Sequence, residues 1–456
     1  MQKIIKPKKI ESLLAKKQDS SKIKEIIAKA ETKEGLNIQE TAALLQVEDE
    51  NLLNEIFVTA KKIKDEIYGD RVVLFAPLYI SNKCINNCVY CGFKKDNRDL
   101  ERISLTPKEI SQQVEVIEGL GHKRILIEFG EDPKAGSLDK VVEAIETVYA
   151  SGDIRRVNIN IAPVEVDGFK RLKEAGIGTY QLFQETYHRE TYKQMHPSGP
   201  KSDYEYHLTA MDRAMEAGID DIGLGVLFGL YDYKYEVLAM FQHAQYLDEK
   251  FGVGPHTISI PRWKPASGVK LNDIPAPVSD KDFEKLVAII RLALPYTGII
   301  LSTRENIELR EELLDLGISQ MSAGSCTDPG GYKEGQSSEQ EAKQFETADH
   351  RSPDQVIKGI CESGYLPSFC TACYRTERTG EDFMDLAKSG DIHKFCQPNA
   401  LLTFQEYLED YASQDTKKVA EKLVRQQLDK IQNSVIKEET KRGLEKVKTG
   451  TRDIYL

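Results

Sequence analysis

The residues best suited to chemistry in this chain are its cysteines. Eight occur in 456 residues, unevenly placed: Cys84, Cys88 and Cys91, then none until Cys326, Cys361, Cys370, Cys373 and Cys396. Cys84-Ile85-Asn86-Asn87-Cys88-Val89-Tyr90-Cys91 spaces three thiols as C-x3-C-x2-C. Three neighbouring thiolates can bind three irons of a [4Fe–4S] cube and leave the fourth iron open to a substrate or cofactor. Structural zinc wants four ligands, and no fourth cysteine or histidine lies nearby, so the spacing favours the cluster. Cys370-Thr371-Ala372-Cys373 with Cys396 repeats the pattern as C-x2-C-x22-C. By spacing alone this second set fits either an iron–sulfur cluster or half of a zinc ribbon completed by Cys361 or His393. Cys326 and Cys361 otherwise read as ordinary buried thiols.

The elements that must hold these thiols alternate from residue 72 onward. Strand patterns fall at Val72–Ile80, Arg124–Gly130, Arg155–Val164, Thr179–Thr186, Asp221–Leu230, His256–Arg262, Gly298–Arg304 and Ser319–Ala323. Helical periodicity fills the gaps at Pro107–Leu120, Leu138–Ala150, Gly168–Ala175, Tyr204–Ala217, Tyr235–Phe251, Asp280–Leu294 and Asn306–Leu316. Gly176, Gly218 and Gly317 follow three of these helices as C-terminal caps. The alternation predicts an α/β fold, a (β/α)8 barrel of the TIM type, with an open doubly wound sheet as the alternative. The first cysteine set then follows the first strand, on the barrel face where catalytic groups gather. Residues 1–70 are predicted to form a helical N-terminal extension, with helices near Ile38–Leu45 and Leu52–Ile67. Residues 71–352 would form the barrel. A polar loop at Gly330–His350 leads to a helical C-terminal domain, 353–456, carrying the second cysteines and a charged helix at Lys417–Lys448.

Composition narrows the setting. Lys and Arg number 62 against 73 Asp and Glu, a formal charge of −11, which argues against nonspecific nucleic-acid binding. Hydrophobic residues make up 40% and charged residues 30%, enough for a sizeable core. No apolar run approaches the ~18 residues of a membrane span. The start, Met1-Gln2-Lys3-Ile4-Ile5-Lys6, lacks the apolar region of a secretory signal. A cytoplasmic protein is expected, where cysteines serve more often as ligands or nucleophiles than as disulfides.

The C-x3-C-x2-C set, with an aromatic before its third cysteine, resembles the signature of the radical S-adenosylmethionine (SAM) superfamily. Phe129-Gly130-Glu131-Asp132 is similar to the glycine–glutamate motif through which that superfamily holds the SAM amino group. Asn160, Gln184, Glu185 and Arg213 resemble family positions near the SAM ribose or carboxylate. For Arg213 the alternative is an ordinary helix-surface ion pair. Phe93 fits either adenine contact or core. The resemblance implies that an electron from the reduced cluster cleaves SAM into methionine and a 5′-deoxyadenosyl radical, with the protein supplying positioning and a dry cavity.

Taken with the C-terminal C-x2-C-x22-C, the pattern over residues 40–410 resembles the tyrosine lyases of [FeFe]-hydrogenase maturation. The thiazole-pathway tyrosine lyase, 2-iminoacetate synthase, shares the first motif but lacks the second. A nonenzymatic iron–sulfur scaffold is the alternative from another class, though it would need no SAM pocket. The resemblance implies cleavage of the L-tyrosine Cα–Cβ bond to p-cresol and dehydroglycine. It further implies conversion of dehydroglycine to carbon monoxide and cyanide at a second [4Fe–4S] cluster bearing an additional iron and free L-cysteine. The product would be an iron–carbonyl–cyanide unit for the hydrogenase, made with an electron donor such as ferredoxin or flavodoxin and alongside other hydrogenase maturases. His256 matches the family histidine for the additional iron; a buried histidine bonded to backbone is the alternative. Arg304 suits the tyrosine carboxylate, since guanidinium pairs with it bidentately, and Ser302 and Ser322 are candidate hydrogen-bond partners. A rim salt bridge to Glu305 or Glu308 is the other role open to Arg304. An internal tunnel between the clusters is expected, because free dehydroglycine would hydrolyse in bulk water.

Overall fold

The computed structural model describes residues 4–269, 274–334, 343–376 and 378–456. Eight parallel strands run in chain order: β1 (Arg71–Ser81), β2 (Arg124–Phe129), β3 (Arg156–Asn160), β4 (Tyr180–Glu185), β5 (Ile222–Val226), β6 (Thr257–Ser259), β7 (Gly298–Leu301) and β8 (Gln320–Ser322). Sequential strands pair, and β1 pairs with both β2 and β8, so the sheet closes into a barrel. The open-sheet alternative is thereby excluded. Each strand lies within or over its predicted run. β1 is buried along nearly its whole length, as a strand covered by helices outside and side chains inside must be. The three capping glycines adopt positive φ: +87° at Gly176, +85° at Gly218 and +131° at Gly317. Among the described residues, no helix is long and apolar enough to cross a membrane.

The N-terminal residues form α1 (Pro7–Leu14), α2 (Ser20–Ala30), α3 (Ile38–Leu45) and α4 (Glu50–Tyr68). α3 begins with a capping box between Asn37 and Glu40. α4 buries Leu52, Ile56, Ala60, Ile63 and Ile67 along one face. On that helix Lys64 is fully buried, its ammonium 3.7 Å from the ring centroid of Tyr365. This cation–π contact ties the N-terminal extension to the C-terminal segment.

The C-terminal segment contains the helices Gly380–Ser389, His393–Asp410, Gln414–Asp429 and Ser434–Lys448. It also holds a strand the periodicity did not announce, β9 (Leu366–Ser368), parallel to the start of β1 with Arg71 opposite Leu366 and Val73 opposite Ser368. Three residues are too few to display a period. Within the expected loop Gly330–His350, Gly331–Glu334 forms one helical turn, while residues 335–342 lie outside the described residues.

Candidate active site

The wider cavity opens at the C-terminal ends of the strands and holds about 1420 Å3 of space free of protein atoms. Cys84, Cys88, Cys91, Phe93, Gly130, Glu131, Asn160, Glu185, Ser302, Arg304 and Ser322 all line it. The cysteine loop is stitched to the end of β2. Gly130 N–H donates to Ser81 O at 2.7 Å, and Ile85 N–H donates to Glu131 O at 2.8 Å. A Cβ on Gly130 would fall 2.4 Å from the Lys83 carbonyl oxygen, so only glycine lets the two backbones approach this closely. Asn86, inside the cysteine motif, donates to the Glu131 carboxylate at 2.6 Å and accepts from Lys201 N–H at 2.9 Å.

Charge in this cavity is arranged in pairs and singles. Glu185 sits at φ +67° after a bulge in β4, and its carboxylate meets Lys201 Nζ at 2.8 Å. That carboxylate, together with nearby Cys88, keeps the largely buried Lys201 ammonium well above its usual range despite desolvation. Glu128 is paired in register with Tyr79 on β1 and Asn160 on β3. Burial pushes its carboxyl up to about 8, opposed by the Asn160 amide 3.4 Å away and by the Arg304 charge. Arg304 stacks its guanidinium on Phe345, 3.3 Å from the ring centroid. Among the described residues it has no ion pair. Glu305 is engaged by Arg262 Nε at 3.1 Å and by Lys264 at 3.6 Å.

Three expected neighbours of the cofactor are not on this cavity wall. Asp132 caps a turn, accepting from Lys134 N–H at 2.9 Å and Ala135 N–H at 2.7 Å. Gln184 is the extra residue of the β4 bulge, buried with its Nε2 unpartnered among the described residues. Arg213 forms no ion pair among the described residues. It donates to Val164 O at 3.0 Å, Thr209 Oγ1 at 3.0 Å and Tyr206 O at 2.8 Å, and stacks on Tyr206. Sequence reasoning missed Glu128, Asn86 and Lys201. Only Glu128 left a signal, as a lone carboxylate within the apolar run of β2.

A second, smaller cavity of about 640 Å3 lies at the opposite end, where the strands begin. Cys370, Cys373, Cys396 and His256 line it, with Arg71, Arg124, Arg378 and Asp221. Cys373 and Cys396 share a hydrogen bond that favours the thiolate of Cys396 and holds the Cys373 thiol well above its usual range. The His256 ring makes no hydrogen bond among the described residues and packs edge-on to Phe383, centroids 4.7 Å apart. The buried Asp221 Oδ1 and Arg124 Nε are likewise unpartnered there. Neither proposed zinc-completing residue lines this cavity: Cys361 is buried elsewhere, and His393 Nε2 meets Glu66 O at 2.6 Å.

The two cavities are close. Val73, Arg124 and Gln320 border the smaller one, while Phe75, Leu126 and Ser322, each two residues further along the same strand, border the larger. Two strand residues span about 7 Å, so one layer of side chains separates them. Phe75, Leu126 and Ile300 pack together in that layer.

Among the described residues no three Cys, His, Asp or Glu side chains converge on a single-ion position. A cube does not require that, because each thiolate takes a different iron at a different corner. Burial and the Cys84 charge push the Cys91 thiol up to about 11, and burial raises Cys88 further. Loading such a site must therefore release protons.

Closed barrel, cysteine loop after the first strand and glycine–glutamate turn after the second define the radical SAM class. Residues 78–244 match the radical SAM superfamily model, and residues 259–366 match the biotin and thiamin synthesis associated domain. A crystal structure of HydG, a maturase of the [FeFe]-hydrogenase, aligns with TM-score 0.96 and 56% identity, covering 99% of this chain and 100% of that one. HydG from Carboxydothermus hydrogenoformans aligns with TM-score 0.82 and 44% identity over 93% and 94%. The 2-iminoacetate synthase of Salmonella typhimurium is 31% identical over 334 residues, 73% of this chain and 86% of that protein. The chain belongs to the HydG family of [FeFe]-hydrogenase maturases. Membership implies a [4Fe–4S] cluster and SAM.

Proposed function

We propose that this chain is a radical SAM lyase that splits L-tyrosine between Cα and Cβ into p-cresol and dehydroglycine. It then forms carbon monoxide and cyanide at a second centre, building an iron–carbonyl–cyanide unit for [FeFe]-hydrogenase. The observation that carries this reading is the pair of cysteine-lined cavities at opposite ends of one barrel, a single side-chain layer apart.

In the larger cavity Cys84, Cys88 and Cys91 hold the [4Fe–4S] cluster, and Gly130 and Glu131 receive the SAM amino group. Asn160 and Glu185 face the SAM ribose or carboxylate, with Phe93 beside the adenine. When bound, the reduced cluster and SAM supply a one-electron hydrogen abstraction at the tyrosine amino group. Arg304, half-buried and free of a carboxylate partner among the described residues, clamps the tyrosine carboxylate. Ser302 and Ser322 offer hydroxyls, and Tyr79, Phe75 and Leu126 exclude water. Asp132, Gln184 and Arg213 act from behind the wall by fixing the turn, bulge and helix that carry the contact residues. In the smaller cavity the donor set suits a second cluster on Cys370, Cys373 and Cys396, with His256 taking the additional iron. L-Cysteine and that iron enter as substrates, and Asp221 and Arg124, whose Oδ1 and Nε are unpartnered among the described residues, can receive the amino acid's charged ends. Residues 71–352 carry the first reaction, 353–456 supply the second cysteines, and 1–70 brace both. Ferredoxin or flavodoxin delivers electrons, and other hydrogenase maturases receive the product.

Anaerobic incubation with SAM, dithionite and tyrosine tests this reading. p-Cresol with carbon monoxide and cyanide is the expected result. p-Cresol alone assigns the chain to the 2-iminoacetate synthase type, and no p-cresol leaves only an iron–sulfur scaffold.

A further inference from the structure

The cysteine loop, residues 82–103, runs between β1 and the helix Pro107–Gly119 almost without regular structure, so its carbonyl groups need side-chain donors. One side chain supplies most of them. Arg102 Nη1 donates to Asn82 O and Phe93 O, both at 2.8 Å. Its Nη2 donates to Lys94 O at 2.6 Å and Asn97 O at 3.1 Å. Asn82 stands two residues before Cys84 and Phe93 two residues after Cys91, so a single guanidinium fork grips both ends of the cysteine run. Asn82 strengthens the grip, donating to Glu101 O and accepting from Ile103 N–H, both at 2.7 Å.

Every hydrogen-bond partner of Arg102 among the described residues is a neutral carbonyl, and there it has no ion pair. Arg310 and Arg262 differ, being paired with Asp349 and Glu305, whereas the fully buried Arg291, which likewise donates only to carbonyls, lines neither cysteine cavity. Neutral acceptors satisfy the donors of Arg102 without cancelling its charge. Negative charge on Cys84 and Cys91 in turn favours the charged form of Arg102, opposing its partial desolvation.

We infer that Arg102 is a positioning residue and the counter-cation of the cluster held by Cys84, Cys88 and Cys91, making that cluster easier to reduce. The inference rests on the proposed cluster at those three cysteines. A cube bound by three thiolates gains negative charge on reduction, so a fixed nearby cation stabilises the reduced form more than the oxidised one. Lysine in its place would keep the charge but lose the fork.

The test is a redox titration, followed by electron paramagnetic resonance, of the reconstituted full chain with and without SAM. The signal that changes on SAM addition belongs to this cluster. In Arg102→Gln the reduced-to-oxidised ratio at the wild-type midpoint should fall about tenfold, roughly 59 mV for a one-electron couple. Arg102→Lys should stay near the wild-type ratio while holding less iron. A wild-type midpoint in Arg102→Gln, or equal shifts in both variants, overturns the inference. If Arg102→Gln loads no cluster, Arg102→Lys decides: a wild-type midpoint supports the inference, and a lowered midpoint or an empty site overturns it. A wild-type signal indifferent to SAM overturns the cluster assignment itself, and the inference with it.

Discussion

The two ends of the barrel solve the problem of holding a metal cluster differently. At the wide end all three cysteines come from one eight-residue stretch, and the barrel's own strand ends surround them. At the narrow end Cys370 and Cys373 lie near a three-residue strand, Cys396 sits in the helix His393–Asp410, and His256 precedes β6. The charges differ as well. The wide cavity buries carboxylates beside cations, Glu185 against Lys201 and Glu128 near Arg304, whereas the narrow one gathers Arg71, Arg124 and Arg378 around its thiols. A local motif can thus be carried by a barrel with little else changed, while the second centre exists only because a separate segment docks beneath the strands.

If the ends are chemically distinct but connected, substitutions should separate them. The largest effect is expected from Cys88→Ala, which removes the chemistry on which everything downstream depends. Both p-cresol and carbon monoxide should vanish, a loss of at least about a million-fold if measurable. Cys370→Ala with Cys373→Ala should abolish carbon monoxide yet leave p-cresol within about threefold, as gas and phenol assays on one sample would show. Equal loss of both products would break the idea of two reaction sites. Arg304→Met should raise the tyrosine KM by roughly 30- to 100-fold, the worth of a charge-assisted contact, without altering iron content at the narrow end. Ile300→Phe, placed in the dividing layer, should lower the yield of carbon monoxide per p-cresol by about tenfold if the intermediate crosses there, with a melting curve to gauge overpacking.

The smallest effect concerns stability. Burial raises the Glu128 carboxyl to about 8. A raised folded-state value means the group contributes its full stability below the unfolded carboxyl value and loses that contribution as pH climbs through about 8. In that window it should cost about 1.4 kcal/mol per pH unit. Glu128→Gln should flatten this slope in unfolding curves taken at pH 6 and pH 8; an unchanged slope would show that the carboxyl is not shifted.

What the sequence disclosed follows from how local each feature is. The eight barrel strands were legible because strands covered on both faces read as apolar runs between amphipathic helices. The wide-end motif was legible because its ligands are neighbours in the chain. Lys201 was not, since its backbone N–H meets Asn86 across 115 positions and no pattern joins them. Asp132, Gln184 and Arg213 resembled family positions, while local geometry makes them a turn cap, a bulge residue and a clasp on the Val164 and Tyr206 carbonyls and the Thr209 hydroxyl. At the narrow end His256 was reached only through resemblance, and Asp221 and Arg124 not at all. Their shared cavity is a product of docking, which spacing cannot express.

The short strand β9 has a consequence for how this protein can be divided. Leu366–Ser368 covers Arg71–Val73 at the start of β1. A polypeptide ending before Leu366 would leave those backbone groups bare along the barrel rim, an open edge ready to recruit a strand from another molecule. Truncation would thus trade the narrow-end chemistry for self-association, and both ends are bound to share one chain and one folding event.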